Sequence, residues 1–217
     1  MTSIGRLIGL LVIAGAASFG ATIDNFNGAL VTQTVRDNTA DAMAVTDILG
    51  NRTIFANKSA GATGLFLDSV VAAATEGFFA GSAGTTVTGA TGASYTGLWN
   101  LAAPIVGLSM EVIGNDLAGS TISFWISDGT NTASSGAFAL PVVPGPPGQL
   151  IIALLGGFSG IGSVNLSAIT SLGFINTHVA NGDLSLDNFQ TYVPEPGTYA
   201  MMAAGLLALY SIRRKKA

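Results

Sequence analysis

Short strand-like runs punctuated by glycine, proline and Asx-containing turns restrict this chain most, because they suit an antiparallel β fold and little else. The runs are Thr53–Asn57, Gly64–Ala72, Ser94–Leu101, Val106–Ile113, Thr121–Ser127, Ala133–Leu140, Gln149–Leu155, Leu172–Ile175 and Leu184–Thr191. Turn formers separate them at the short intervals expected of a sandwich. Helical periodicity between them is poor. Asn115-Asp116, Asp128-Gly129 and Asn181-Gly182 offer residues that tolerate positive φ or bond their own backbone, and each is expected to separate hairpin partners. Pro141, Pro144, Pro146 and Pro147 deny the stretch 141–148 the donors of a central strand, so it is expected to be an exposed loop.

Both ends of the chain have a different character from this middle. Arg6 precedes an apolar run, Leu7–Ala17, which gives way to small residues around Ser18 and Gly20. That order predicts a secretory signal peptide over residues 1–20, cleaved after Ser18 or Gly20. At the other end, Val193-Pro194-Glu195-Pro196-Gly197 leads into an apolar stretch from Thr198 to Ile212 and then Arg213-Arg214-Lys215-Lys216. The prolines fix two φ angles and keep the motif extended ahead of the helix. At about 1.5 Å per residue, a helix from Gly197 to Ile212 reaches about 24 Å, short of the roughly 30 Å hydrocarbon core. Tyr199 and Tyr210 suit its two interfaces, and the four basic residues act as a stop on the cytoplasmic side.

This ending, residues 193–217, resembles the PEP-CTERM sorting signal of Gram-negative bacteria in its motif, its short transmembrane helix and its basic tail. The resemblance implies export through the inner membrane and transient membrane contact through the helix. It also implies an exosortase partner that removes the helix. Delivery would be to the cell surface, outer membrane or extracellular polysaccharide matrix. Val193, Pro194, Glu195 and Pro196 form the sorting motif, with Pro194, Glu195 and Pro196 as recognition residues. An uncleaved C-terminal anchor is the alternative, and no Leu-Pro-x-Thr-Gly sequence points to a sortase.

Between the signals, residues 22–192 are expected to form one β-sandwich domain with one core. All twelve acidic residues lie between Asp24 and Glu195, against only Arg36, Arg52 and Lys58 in that stretch. A phosphate backbone would be repelled, so nucleic acid is not an expected partner. With no cysteine, disulfides, thiol catalysis and zinc-thiolate sites are excluded. At 49% hydrophobic and 9% charged, the composition favours a folded domain over long disorder.

Two copies of Asp-Asn-Phe open and close this segment, Asp24-Asn25-Phe26 and Asp187-Asn188-Phe189. Their echo suggests that the first and last strands lie together, with Asp and Phe on one strand face. With Ile48–Ile54, Asp128-Gly129 and Asp183–Phe189, they make the middle similar to the jelly-roll sandwiches of carbohydrate-binding modules. That likeness implies an all-β, jelly-roll-like architecture and a structural calcium held by acids of the first and last strands, here Asp24 and Asp187. Hard oxygen ligands would suit the ion, although no EF-hand loop or nonapeptide calcium repeat is present.

Catalytic candidates are few. His178 is the only histidine, it adjoins the Asn181-Gly182 turn, and no Gly-x-Ser-x-Gly elbow accompanies it, so a solvated loop histidine is expected. Glu76, Glu111, Asp116, Asp128, Asp183 and Asp187 could supply a glycosidase pair, which needs only two acids at a suitable separation. For Asp116, Asp128 and Asp183, turn formation is the stronger expectation. Tyr95 and Trp99 share a strand face across Gly97, which suits either sugar contact or core packing. Trp125, between Phe124 and Ile126, is expected to be buried or partly buried. Gly81–Gly97 lacks the lysine of a P-loop and the context of a dinucleotide fingerprint.

The chain therefore reads as a non-enzymatic exported surface or matrix protein with a structural or weak carbohydrate-binding role. A secreted glycan-active enzyme using paired carboxylates, or a self-associating adhesin, are the alternatives.

Overall fold

The computed structural model describes residues 20–26, 31–36, 40–46, 51–61, 64, 66–72 and 77–194 of the 217-residue chain. Residues 1–19 of the expected signal peptide, Glu195 and Pro196 of the motif, the C-terminal helix and Arg213, Arg214, Lys215 and Lys216 lie outside these residues, as does Glu76. Residues 21–192 form one compact unit; residues 1–20 and 193–217 separate as a second, described only at Gly20, Val193 and Pro194. Among the described residues no helix is long and apolar enough to cross a membrane.

Strand-forming alternation builds two antiparallel sheets in the main unit. The first runs in the order β12 (Gln149–Leu154), β8 (Gly107–Asn115), β14 (Asp183–Tyr192), β6 (Phe78–Ala83), β5 (Leu67–Ala72), β2 (Val31–Val35), with β1 (Thr22–Asp24) also paired to β14. The second runs β10 (Thr132–Ser134), β9 (Thr121–Ser127), β13 (Ile169–His178), β7 (Thr88–Trp99), β4 (Asn51–Ala60), β3 (Ala40–Thr46), with β11 (Phe138–Ala139) also paired to β9. The result is the expected all-β antiparallel sandwich.

Side chains from both inner faces meet in a main core. Leu108, Met110, Val112, Leu184, Leu186 and Phe189 of the first sheet pack with Ile122, Phe124, Ile126, Leu172, Phe174 and Tyr95 of the second. A smaller cluster, Val35, Ala56, Leu67, Ala83 and Val87, fills one end. At roughly 25 cal/mol per Å² of apolar surface removed from water, this burial is the principal force closing the sandwich.

The echoed motifs do meet: β1 lies antiparallel to β14 with Asp24 opposite Phe189. Ala21 and Thr191 tie the pair further, since each accepts a backbone or hydroxyl donor of the other. The expected equivalence of faces does not hold. A bulge between Asp187 and Gln190, with Asn188 at φ 53°, turns Phe189 inward beside Leu186 while Asp187 faces out.

Two of the expected hairpins are corrected by the topology. Asp128-Gly129 does join paired strands, β9 and β10. Asn115-Asp116 and Asn181-Gly182 instead carry the chain from one sheet to the other, because β8 and β14 belong to the first sheet and β9 and β13 to the second. The proline-rich stretch is a loop, held by one bridge between Val143 and Asn115.

Candidate functional site

Of the residues expected to bind a ligand, two prove to be internal fastenings. Asp24 is 4% exposed, and its carboxylate accepts the Phe26 N–H at 2.7 Å, the Tyr95 hydroxyl at 2.8 Å and a charge-assisted bond from Arg52 Nη1. Arg52 is itself buried and lies over the Phe26 ring, 5.9 Å from its centroid. Tyr95, 1% exposed, cannot serve as a sugar platform. Trp99 is half-buried against the main core.

This arrangement also bears on calcium. Asp24 points between the sheets with its oxygens occupied, whereas Asp187 faces outward across from Glu111 and accepts the Asn188 N–H at 2.6 Å. The two carboxylates are not brought into one ligand set, and these residues do not fit a shared calcium site. Among the described residues, no group of three or more His, Asp or Glu side chains could hold a metal ion.

The other acids are placed in local structure. Asp128 accepts backbone N–H groups of Thr130, Asn131 and Asn165 at 2.7–2.8 Å. The bonds from Asn131, Asn165 and Thr130, in that order of effect, lower its pKa to about 2. Asp116 accepts the Asp183 N–H at 2.7 Å and pins the crossing between β13 and β14. Glu111 and Asp187 oppose each other on the outer face of the first sheet, and Asn188 donates to both, through Nδ2 at 2.9 Å to Glu111 and through its N–H to Asp187.

His178 was expected in a solvated loop, but it ends β13 facing inward and is 2% exposed. Its Nε2 lies 2.6 Å from the Thr91 hydroxyl, and Nδ1 has no hydrogen-bond partner among the described residues. Gly81 makes room for the ring, since a Cβ there would lie 2.5 Å from it. Burial lowers the histidine pKa to about 4, against a partly opposing pull from Asp183.

A pH dependence follows from this shift. Above pH 6.5 neither folded nor unfolded chain protonates His178, so the folded state bears no penalty. Between 6.5 and about 4 the unfolded chain takes up a proton that the folded chain refuses, and stability falls by about 3 kcal/mol in total. Asp128 adds a further loss between 3.8 and about 2, where its folded form resists protonation. Urea midpoints measured across pH 7 to 4 should fall for the native protein and much less for His178→Gln. Equal slopes would show that His178 is not responsible.

The outer face of the second sheet differs from these fastened sites. Register aligns Phe55, Gly92, Ile175 and Ser123 in one row across β4, β7, β13 and β9, and Thr53, Ser94, Gly173 and Trp125 in the next. Alternation directs these positions away from the core. Two glycines give the aromatic rings somewhere to lie. A Cβ at Gly92 would be 2.6 Å from Phe55 Cζ, and one at Gly173 would be 3.0 Å from Trp125 Cζ2 and Nε1. Both rings therefore rest over glycine on the sheet surface instead of standing off it. Ile175 is 36% and Leu98 83% exposed on the same face.

One end of this face opens into a groove of about 570 Å³, lined by Asn57, Ser59, Thr88, Ala90, Thr177 and Val179 among others. No carboxylate lines it. Phe55, Gly92 and Gly173 were missed in the sequence, although a signal was available: Ser123-Phe124-Trp125-Ile126-Ser127 sets Trp125 in phase with two serines. Thr53, Phe55 and Asn57 repeat that pattern.

Val193 and Pro194 follow β14 directly in the chain. A PEP-CTERM protein-sorting motif family matches residues 193–215. The chain carries a PEP-CTERM sorting signal. The PEP-CTERM match does not extend into residues 21–192, and no curated protein sequence matches the chain.

Solved structures similar to it include the family 11 carbohydrate-binding module of the cellulosomal cellulase Lic26A-Cel5E of Clostridium thermocellum. That match has 13% identity and a TM-score of 0.43, covering 82% of this chain and 96% of the module. The module CtCBM11 matches at 17% identity and a TM-score of 0.46, covering 82% and 98%. The enzymatically active domain of bacteriophage CBA120 tailspike protein 4 matches at 8% identity and 0.37, covering 78% of this chain and 20% of the other. Likeness at this level assigns no ligand.

Proposed function

We propose that this protein is a non-enzymatic surface or matrix protein, exported and processed by an exosortase, with a structural and weakly carbohydrate-binding role. The PEP-CTERM signal supports export and sorting to the cell envelope. The observation that carries the binding role is the outer face of the second sheet, where the Phe55 and Trp125 rings reach over Gly92 and Gly173 among hydroxyl and amide side chains. Flat rings suit the apolar faces of pyranoses, and surrounding Ser, Thr and Asn groups can exchange hydrogen bonds with sugar hydroxyls.

The groove beside this face has no carboxylate to act as acid or nucleophile. His178 is buried and engaged with Thr91, which removes it from an accessible triad. Fractionation of the native host, with intact-mass analysis, tests the sorting claim: the expected product has lost the helix and basic tail and lies outside the cytoplasm. Accumulation in the cytoplasm would overturn it. A glycan array tests the binding role, and hydrolysis of any retained glycan would overturn the non-enzymatic assignment.

A further inference from the structure

We infer that the outer face of the second sheet takes a neutral, extended polysaccharide across its strands, held at two points by Phe55 and Trp125, and that it rejects polyanions. The inference rests on the carbohydrate-binding role proposed above and specifies its ligand.

Charge decides the class. Of the described positions that register and alternation place on this face, from Thr53, Phe55 and Asn57 on β4 to Ser123 and Trp125 on β9, none is ionisable. Basic side chains are equally scarce around it. Of Arg36, Arg52 and Lys58, the whole basic complement between the two ends, Arg52 is fastened to Asp24 inside the sandwich. Lys58 is 1% exposed and donates to the Arg36 carbonyl at 3.0 Å. On the segment between the two ends, a uronate or sulfate polymer would meet a net negative surface with almost no accessible cation, since Arg52 and Lys58 are buried. An uncharged glycan loses little on approaching an uncharged face, and its hydroxyls exchange water for protein partners.

Spacing decides the length. Phe55 lies on β4 and Trp125 on β9, with β7 and β13 between them. The rings lean inward over Gly92 and Gly173, a diagonal pair on the adjacent strands β7 and β13, which brings them to within roughly 8 Å of each other. Two adjoining pyranoses can therefore reach both. Gly92 and Gly173 keep the floor beneath the rings low, and the groove at Asn57, Ala90 and Thr177 continues from the same face. A longer glycan can stack on both rings and run on into the groove.

Affinity electrophoresis of the full chain, in a detergent without a sugar headgroup, tests this. Gels would contain hydroxyethylcellulose, mixed-linkage β-glucan or galactomannan as neutral probes and alginate as the polyanion. Retardation by at least one neutral polymer, none by alginate, and no loss on adding salt are expected. Trp125→Ala and Phe55→Ala should each weaken retardation about tenfold, with Trp125→Tyr largely retained and melting temperatures little changed. Monosaccharides should compete poorly, and oligosaccharides of two or more sugars, which can reach both rings, should compete. Retardation by alginate as strong as by the neutral polymers, or neutral binding untouched by both substitutions, overturns the inference and leaves carbohydrate binding standing. No retardation by any of the four polymers, together with an empty glycan array, overturns the binding role itself.

Discussion

Arg52→Ala is expected to destabilise the protein by about 3–5 kcal/mol, read as a fall in the urea midpoint with little change in slope. The substitution would leave Asp24 buried between the sheets with the Tyr95 hydroxyl and the Phe26 N–H as neutral partners. It would also remove the guanidinium packed over the Phe26 ring. The size of the loss reflects the stranded carboxylate more than any net strength of the pair, because both charges had already been taken out of water. Replacing the whole cluster separates these effects. Asp24→Leu, Arg52→Met and Tyr95→Phe together remove every charge and leave no hydroxyl unpaired, so the triple variant should recover much of the loss. A single-variant cost below about 1 kcal/mol would place the pair among solvent-screened surface bridges and contradict its burial.

That cluster shows where the sequence was legible and where it was not. β9 was predicted at Thr121–Ser127 and is found there, because Ile122, Phe124 and Ile126 recur at every second position as its buried face. β12 is one residue shorter than expected at its end, and β14 one residue longer at each end. The segment Thr88–Ala93 belongs to a long central strand, yet its Gly89, Ala90 and Gly92 lack the bulk by which strands are recognised. Its glycines are required by close approach: a Cβ at Gly92 would lie 2.2 Å from the Phe174 carbonyl oxygen. Strand character there comes from the neighbours, and a single segment cannot report it. β2, β3 and β6 were missed for similar reasons, being short or rich in small residues. The expected strand Ala133–Leu140 divides into β10 and β11, which pair with opposite ends of β9.

The candidate sites divide along the same line. Local chemistry was readable, as in the Asp128 turn, since its partners are within a few residues except for Asn165. Orientation across strands was not. Tyr95 and Trp125 are both aromatic residues in strands of the second sheet, and only register decides that one faces Asp24 and the other the outer surface. The Asp-Asn-Phe echo gave the pairing of the two ends, while the bulge at Asn188 separated the two aspartates it had seemed to bring together.

Phe189→Ala should be comparably severe, again about 3–5 kcal/mol by urea unfolding. Phe189 projects from β14 of the first sheet into three rings of the second: Phe174 at 5.5 Å, Tyr95 at 5.6 Å and Phe124 at 5.9 Å between centroids. Phe174 continues the contact to Phe26 and Phe79. Truncation therefore opens a cavity at the meeting point of both sheets, and well-packed aromatic neighbours can close it only in part. Phe189→Leu keeps more of the volume and should cost less than the alanine variant. Phe138 offers a contrast, half-buried at the sheet edge against Phe124 at 6.3 Å, and Phe138→Ala should cost less than Phe189→Ala. If the two alanine variants proved equal, the joining of the sheets would have to reside elsewhere than in the ring that closes the Asp-Asn-Phe echo.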